Sequence, residues 1–381
     1  MKGDEVTTTE ETPAKRGGFH GVGRGIDRLR DWWENAKVWQ RYLVYIALVV
    51  GALILPAPGI GAFMSPESDW TTVLIYPIGT YILLAVGLNV VVGQAGLLDL
   101  GFVAFFAMGG YSVAYYGTHF GWNYWATVAF GIILAAVSGV ILGAPTLRLR
   151  GDYLAIVTLG FGEIVRITAN NTDEIGGARG ITGIPHPPPV FGTKFLLDPA
   201  PYYYLIVAAI VLVVIFSVRL QKSRVGRAWA AIREDEDAAE LMGVPTFKFK
   251  LLAFAIGAMI GGLAGGIYAG KAVFIEPNTF PFILSATILA AVVLGGSGNL
   301  PGVILGAFLI GWLPERFRDF ADYRILIFGG VLVLMMALRP EGLLPSRRRK
   351  AELHEGTGGM GTMGAEVPGP DTDVSTTEAA K

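Results

Sequence analysis

Residues 148–172 read RLRGDYLAIVTLGFGEIVRITANNT, and this stretch decides how the chain is read. From Tyr153 to Ala169 it is apolar enough to enter a bilayer, and it starts from two arginines, Arg148 and Arg150. Glu163 and Arg166 nevertheless interrupt the apolar run, where an isolated charge is costly. Three residues apart on a helix, they share a face, and each lowers the burial cost of the other. The arginine-flanked start predicts that the pair lies toward the far half of the span. A face carrying it turns into the protein or toward a polar pathway, either to lock helices or to line that pathway. Gly160 and Gly162, just before the pair, would permit a close helix approach or a local break.

Composition agrees with a membrane reading. Of 381 residues, 52% are hydrophobic and only 16% charged, against about 25% charged in soluble domains. The chain has no cysteine, which excludes disulfides, thiolate metal sites and a cysteine nucleophile. Its four histidines (His20, His119, His186, His354) lack ligand spacing, so neither a metal nor another cofactor is expected. A net charge of −1 gives no sign of a nucleic-acid partner. The first forty residues are polar and basic with no early apolar core, unlike a secretory leader.

Apolar runs recur at 42–64, 71–92, 102–116, 124–147, 153–169, 202–218, 251–270, 282–294, 302–313 and 325–338. A helix satisfies its own backbone in lipid, so each run is read as a helix. The expectation is an all-α polytopic membrane protein of about ten transmembrane helices. With the N-terminus inside, the inner segments 14–41, 147–152, 218–250 and 339–350 hold 21 Lys and Arg, against six on the opposite side. That asymmetry puts both termini in the cytoplasm. The predicted organisation is a largely disordered tail at 1–40, a transmembrane domain at 41–345 and a disordered tail at 346–381. The Gly- and Pro-rich connection at about 170–201 would be external.

Two small-residue ladders interleave between 257 and 270: Gly257, Gly261, Gly265 and Gly262, Gly266, Gly270. Glycine at every fourth position flattens a helix face for close packing. The same spacing occurs in two copies of GVILGA, at 139–144 and 302–307. Two stretches mimic phosphate loops. GGIYAGKA (265–272) has Ala272 where a hydroxyl is required and follows an apolar helix rather than a strand, and GGSGNLPG (295–302) lacks lysine. Neither is expected to bind nucleotide. In the inner segment 223–245, Val225, Trp229 and Ile232 recur at helical spacing. After an acidic break at Glu234–Asp237, Ala239 and Met242 continue that face, which predicts two short amphipathic helices meeting at the acids. That element either rests on the bilayer or docks a partner.

Several motifs resemble one family: RLRGDYLAIVTLGFGEIVRI with the following NNT, GLNVVVGQAGLLDLG (87–101), GRAWAAIREDEDAAELMGV (226–244) and VVLGGSGNLPG (292–302). It is the LivM-type permease subunit of bacterial branched-chain amino-acid ABC importers, matched in order over roughly 40–345. The resemblance implies a multi-pass protein of the cytoplasmic (inner) membrane. Its implied partners are a sister LivH-type permease, two cytoplasmic ATPases and an extracytoplasmic binding protein. The family commonly has a small residue where this chain has Asp99. Pore or helix-packing roles are expected for Asn89, Asp99, Gly160, Gly162, Glu163, Arg166, Gly261 and Gly265. For the ATPase contact, Gly226 would let the chain leave the sixth span sharply, and Trp229 and Ile232 would anchor in an ATPase groove. Arg227, Arg233, Glu234, Asp235 and Glu236 would fix register, and Gly243 would end the element. Import of urea or a short amide is the near alternative. A stand-alone secondary transporter or channel is the distant one, and it would have no need of the 226–244 segment.

Overall fold

The computed structural model describes residues 50–57, 61, 64, 69–147, 152–189, 195, 199–316, 329–330, 333 and 342–344. The expected spans at 42–64 and 325–338, both tails, Arg148, Arg150 and part of the 170–201 connection lie wholly or largely outside those residues. The chain divides into a unit ending at Ile54, described only at helical residues 50–54, and a unit from Leu55 onward that contains everything below.

Every expected span on described residues coincides with a helix. These are α1 (Trp70–Gln94), α2 (Val103–His119), α3 (Tyr124–Thr146), α4 (Asp152–Asn171), α5 (Ala200–Lys222), α8 (Thr246–Ala272), α9 (Phe282–Gly295) and α10 (Leu300–Arg316). Between α5 and α8 lie the short helices α6 (Arg224–Glu234) and α7 (Glu236–Leu241). Among the described residues, five helical stretches are long and apolar enough to cross a membrane: α1, α3, α5, α8 and Pro277–Gly295, which contains α9. Inside α3 the hydroxyls bond to carbonyls of their own turn, Thr127 to Tyr124 O, Ser138 to Ala135 O and Thr146 to Leu142 O, each at 2.7 Å. Lipid offers no other partner.

Helix α1 is irregular at both ends, with π-helical turns at Leu74–Gly79 and Val90–Gln94. Pro77 accounts for the first, because it lacks an N–H and crowds the preceding turn. The Thr80 hydroxyl takes up the Ile75 carbonyl at 3.0 Å.

Helix α8 is the central helix, and its two ladders face different neighbours. A Cβ at Gly257 would meet Val91 of α1 at 2.6 Å, and one at Gly261 would meet Phe105 of α2 at 3.0 Å. A Cβ at Gly265 would overlap the Phe106 carbonyl of α2. On the other face, Gly262, Gly266 and Gly270 come against Ala135, Val128 and Tyr124 of α3. The second GVILGA copy works alike, with Gly302 and Gly306 of α10 set against Gly295 and Ala291 of α9. Two-residue strands β1 (Ile181–Thr182) and β2 (Phe274–Ile275) pair antiparallel and tie the 172–189 connection to the end of α8.

Candidate functional site

The connection from Ala95 to Phe102 joins α1 to α2 and brings several singled-out residues together. The exposed N–H groups at the start of α2 need acceptors, and side chains of three elements supply them. Gly101 N–H donates to Asp99 Oδ1 at 2.8 Å, Leu100 N–H to Thr158 Oγ1 of α4 at 3.0 Å, and Val103 N–H to Ser285 Oγ of α9 at 2.9 Å. Asp99 is fully buried in this connection, where a helix N-terminus favours a carboxylate. Burial pushes its pKa up to about 6, against the Gly101 amide and the Thr158 hydroxyl, which pull it down. Asn89 is also fully buried, and its Oδ1 accepts the Gly298 N–H at 2.8 Å from the turn between α9 and α10. Asn89 thus joins α1 to the α9–α10 turn, whereas Asp99 closes its own connection on Gly101.

Helix α4 runs unbroken through Gly160 and Gly162. Gly162 is buried, and a Cβ there would meet Gly101 of the α1–α2 connection at 3.4 Å, whereas a Cβ at Gly160 would meet nothing within 4 Å. Arg166 grips Glu163 Oε2 through Nε at 2.9 Å and Nη2 at 2.8 Å, and the two side chains are 30% and 31% exposed. They border a face carrying Ile156, Gly160 and Ile167, with Ile156 65% exposed. The pair therefore closes on itself at the edge of a surface that no described residue covers. Removing one partner leaves a charge beside an apolar face. Glu163→Gln and Arg166→Gln are each expected to lower the amount of membrane-inserted protein or its transport, while the double variant keeps more of both than either single. Losses in the double equal to the sum of the singles would show that the two act independently.

The segment between α5 and α8 forms the two helices its pattern predicts. Ser223 caps α6, its Oγ accepting from Val225 N at 3.1 Å and Gly226 N at 3.4 Å. Asp235 caps α7, its Oδ1 accepting from Ala238 N at 2.9 Å, with Glu236 and Asp237 in the favourable first turn. Gly243, at φ 83°, then takes the left-handed position that closes α7, and Val244 N–H reaches Ala239 O at 3.0 Å. A Cβ at Gly226 would lie 2.5 Å from Leu220 O, so the sharp exit from α5 requires glycine.

Three expectations for this segment are corrected. Trp229 is fully buried and Ile232 is 5% exposed, and Trp229 Nε1 donates to Phe249 O at 2.7 Å. These apolar side chains anchor the helix pair to its own chain, so neither is free to enter a partner's groove. Glu236 forms an ion pair with Lys250 of α8, whose side chain is 5% exposed, so it fixes α7 to the bundle. Arg233 turns inward and donates from Nη1 to the Gly93 carbonyl. Arg227, Glu234 and Asp235 remain exposed, although Asp235 is already committed as a cap.

Two large apolar residues of this segment point outward: Leu241, which the pattern does not single out, and Met242, which it places on the helical face with Ala239. Leu241 and Met242, 89% and 84% exposed, are the most exposed large apolar side chains among the described residues. They sit at the tip of α7, outside every candidate span. The helical spacing puts Met242 on one face with Ala239, but Ala239 is buried and Met242 is not, because α7 ends at Leu241 and the chain turns there. Lys250, Thr158, Ser285 and Gly298 were also missed, because long-range partners leave no local pattern.

The phosphate-loop mimics are absorbed by the fold. Residues 265–272 lie within α8, where the amides serve the helix, and the Gly298 amide is bonded to Asn89.

A family model described as branched-chain amino acid transport system / permease component matches residues 71–337. The high-affinity branched-chain amino acid transport system permease protein LivM of Escherichia coli strain K12 is 44% identical over 299 residues, covering 72% of this chain and 70% of the relative. LivH of the same organism is 24% identical, covering 70% of this chain and 91% of its own. A fructose import permease protein, FrcC of Rhizobium meliloti, is 25% identical, covering 77% and 84%. No solved structure matches the chain. With their long apolar helices, these likenesses make it a multi-pass membrane protein.

Proposed function

Because the chain belongs to the family of branched-chain amino-acid transport permease components, we propose that it is the LivM-type transmembrane subunit of an ATP-driven importer of leucine, isoleucine and valine. It is a transporter subunit rather than an enzyme. In this reading it lies in the bacterial cytoplasmic membrane with about ten spans and both termini inside. A LivH-type sister permease completes the pathway, two separate ATPases supply the work, and an extracytoplasmic protein delivers the amino acid.

The helix pair α6–α7 carries the reading. One side of it is fastened into the bundle through Trp229, Ile232, Arg233 and the Glu236–Lys250 pair. The other side presents Leu241 and Met242 to the surroundings. A stand-alone channel has no use for an element rigidly tied inward and apolar outward. An ATPase-driven permease must receive force through such a contact. Lipid as the only covering of the tip is disfavoured by its acidic setting, since Glu234, Asp237 and Glu240 are exposed around it. Anionic headgroups repel such a surface, whereas basic side chains of a protein partner complement it.

The exposed α4 face supports the same assembly. An ion pair at its edge is costly against lipid and inexpensive against a second permease chain or a polar pathway. Residues 172–189 and the β1–β2 pair fall on the outer side in this orientation.

The test is purification of the chain from membranes together with its neighbours, followed by reconstitution. ATPase subunits are expected to co-purify, and uptake of labelled leucine, isoleucine or valine is expected to require ATP and the binding protein. Uptake of urea or acetamide in their place would move the solute assignment to the amide branch. Uptake without any ATPase would remove the importer reading altogether.

A further inference from the structure

Arg233 occupies a junction that its sequence position does not suggest. The π-helical end of α1 leaves the Gly93 carbonyl without a helical donor, because the amides of Ala95 and Leu97 turn back to Val90 O and Val91 O at 3.3 and 3.1 Å. Arg233, in the last turn of α6, supplies the missing donor from outside the helix. Two glycines make room for it. A Cβ at Gly96 would lie 2.9 Å from Arg233 Cγ, and one at Gly298 would lie 3.1 Å from Nη1. Gly298 is in turn held by Asn89 of α1 through its amide at 2.8 Å. One guanidinium thus lies where α6, the end of α1 and the α9–α10 turn converge. Immediately beyond it begins α7, with its exposed Leu241–Met242 tip.

We propose that Arg233 is a positioning residue for transport, the pin through which displacement of the α6–α7 pair reaches the end of α1 and the α9–α10 turn. This rests on the importer reading above. A cation suits the C-terminal end of a helix, where carbonyls point outward and the dipole is negative. Arginine suits this junction better than lysine because its planar, fixed array of donors transmits orientation as well as charge. Trp229 and Ile232 seat α6 on the bundle, and the Glu236–Lys250 pair seats α7 on α8. Arg233 is the polar side chain that extends the linkage to α1.

The test compares wild type, Arg233→Gln and Arg233→Lys in the complete complex, reconstituted with its ATPases and binding protein. The readouts are the amount of assembled complex, ATP hydrolysed and leucine imported. For Arg233→Gln, assembly and hydrolysis are expected to stay within about twofold, while leucine imported per ATP falls about tenfold or more, the scale of losing a hydrogen bond to a charged group. Arg233→Lys keeps the cation and is expected to recover part of that ratio. A static cap predicts the opposite pattern, with less assembled complex and an unchanged ratio. An unchanged ratio in Arg233→Gln therefore overturns the proposal. If Arg233→Gln does not assemble, Arg233→Lys decides: a ratio below wild type supports the pin, and a wild-type ratio overturns it. A wild-type complex without ATP-dependent uptake fails the importer reading instead, which keeps the two failures distinct.

Discussion

Gly265→Ala is expected to remove the protein from the membrane, whereas Gly160→Ala leaves its amount and stability unchanged. Both are glycines in apolar helices, and sequence alone assigns them similar value. The difference lies in what a single methyl group meets. At Gly265 it overlaps the Phe106 carbonyl and comes within 2.7 Å of the Gly110 amide nitrogen, both backbone atoms of α2. Backbone cannot rotate aside, so α8 and α2 would have to separate, and with them the packing of α1 and α3 around α8. The cost should exceed the ~1–3 kcal/mol usual for overpacking, where side chains can yield. At Gly160 the methyl meets nothing within 4 Å. There, alanine should if anything favour the helix by up to about 1 kcal/mol. Gly162→Ala, with its nearest contact at 3.4 Å, should lie close to Gly160→Ala. Membrane abundance and thermal unfolding in detergent measure all three. Equal behaviour of Gly265→Ala and Gly160→Ala would mean that α2 and α8 are not packed backbone to backbone.

The double substitution Leu241→Asp, Met242→Asp should abolish ATPase association and reduce uptake by about tenfold or more, as losing an apolar hot spot at an interface does. Both side chains are almost fully exposed, and surface substitutions of this kind usually change stability by no more than about 0.5 kcal/mol. The protein should therefore insert normally and lose only its partner. Trp229→Ala provides the contrast. That side chain is fully buried, and emptying such a site typically costs about 3–5 kcal/mol, so the variant should fail in folding rather than in coupling. Glu236→Lys belongs with Trp229→Ala, because it would set two lysines against each other at Lys250. Pull-down of the ATPases and membrane abundance, measured together, separate the two classes. Normal ATPase binding by the Leu241→Asp, Met242→Asp protein would place the contact elsewhere on the chain.

Local sequence was enough to locate the helices, because a segment in lipid must satisfy its backbone internally, and length and apolarity then suffice to find it. It also determined the ends of α6 and α7, since Ser223, Asp235, Glu236 and Gly243 act on atoms only a few residues away. The Glu163–Arg166 pair was legible for the same reason: three residues on a helix set both its distance and its shared face. Direction, by contrast, came from packing. Trp229 and Ile232 mark an amphipathic face, but periodicity does not say whether that face meets its own bundle or another protein. Nor could the acids of 234–237 be sorted by pattern, because the capping role of Asp235 is local while the pairing of Glu236 depends on Lys250 arriving from α8. The glycines separated likewise, Gly265 critical and Gly160 free, according to which backbone passes nearby. Asn89 and Arg233 found their partners in Gly298 and Gly93, contacts that span 209 and 140 residues. A contact of that length is set by how the helices pack, and no local preference encodes it.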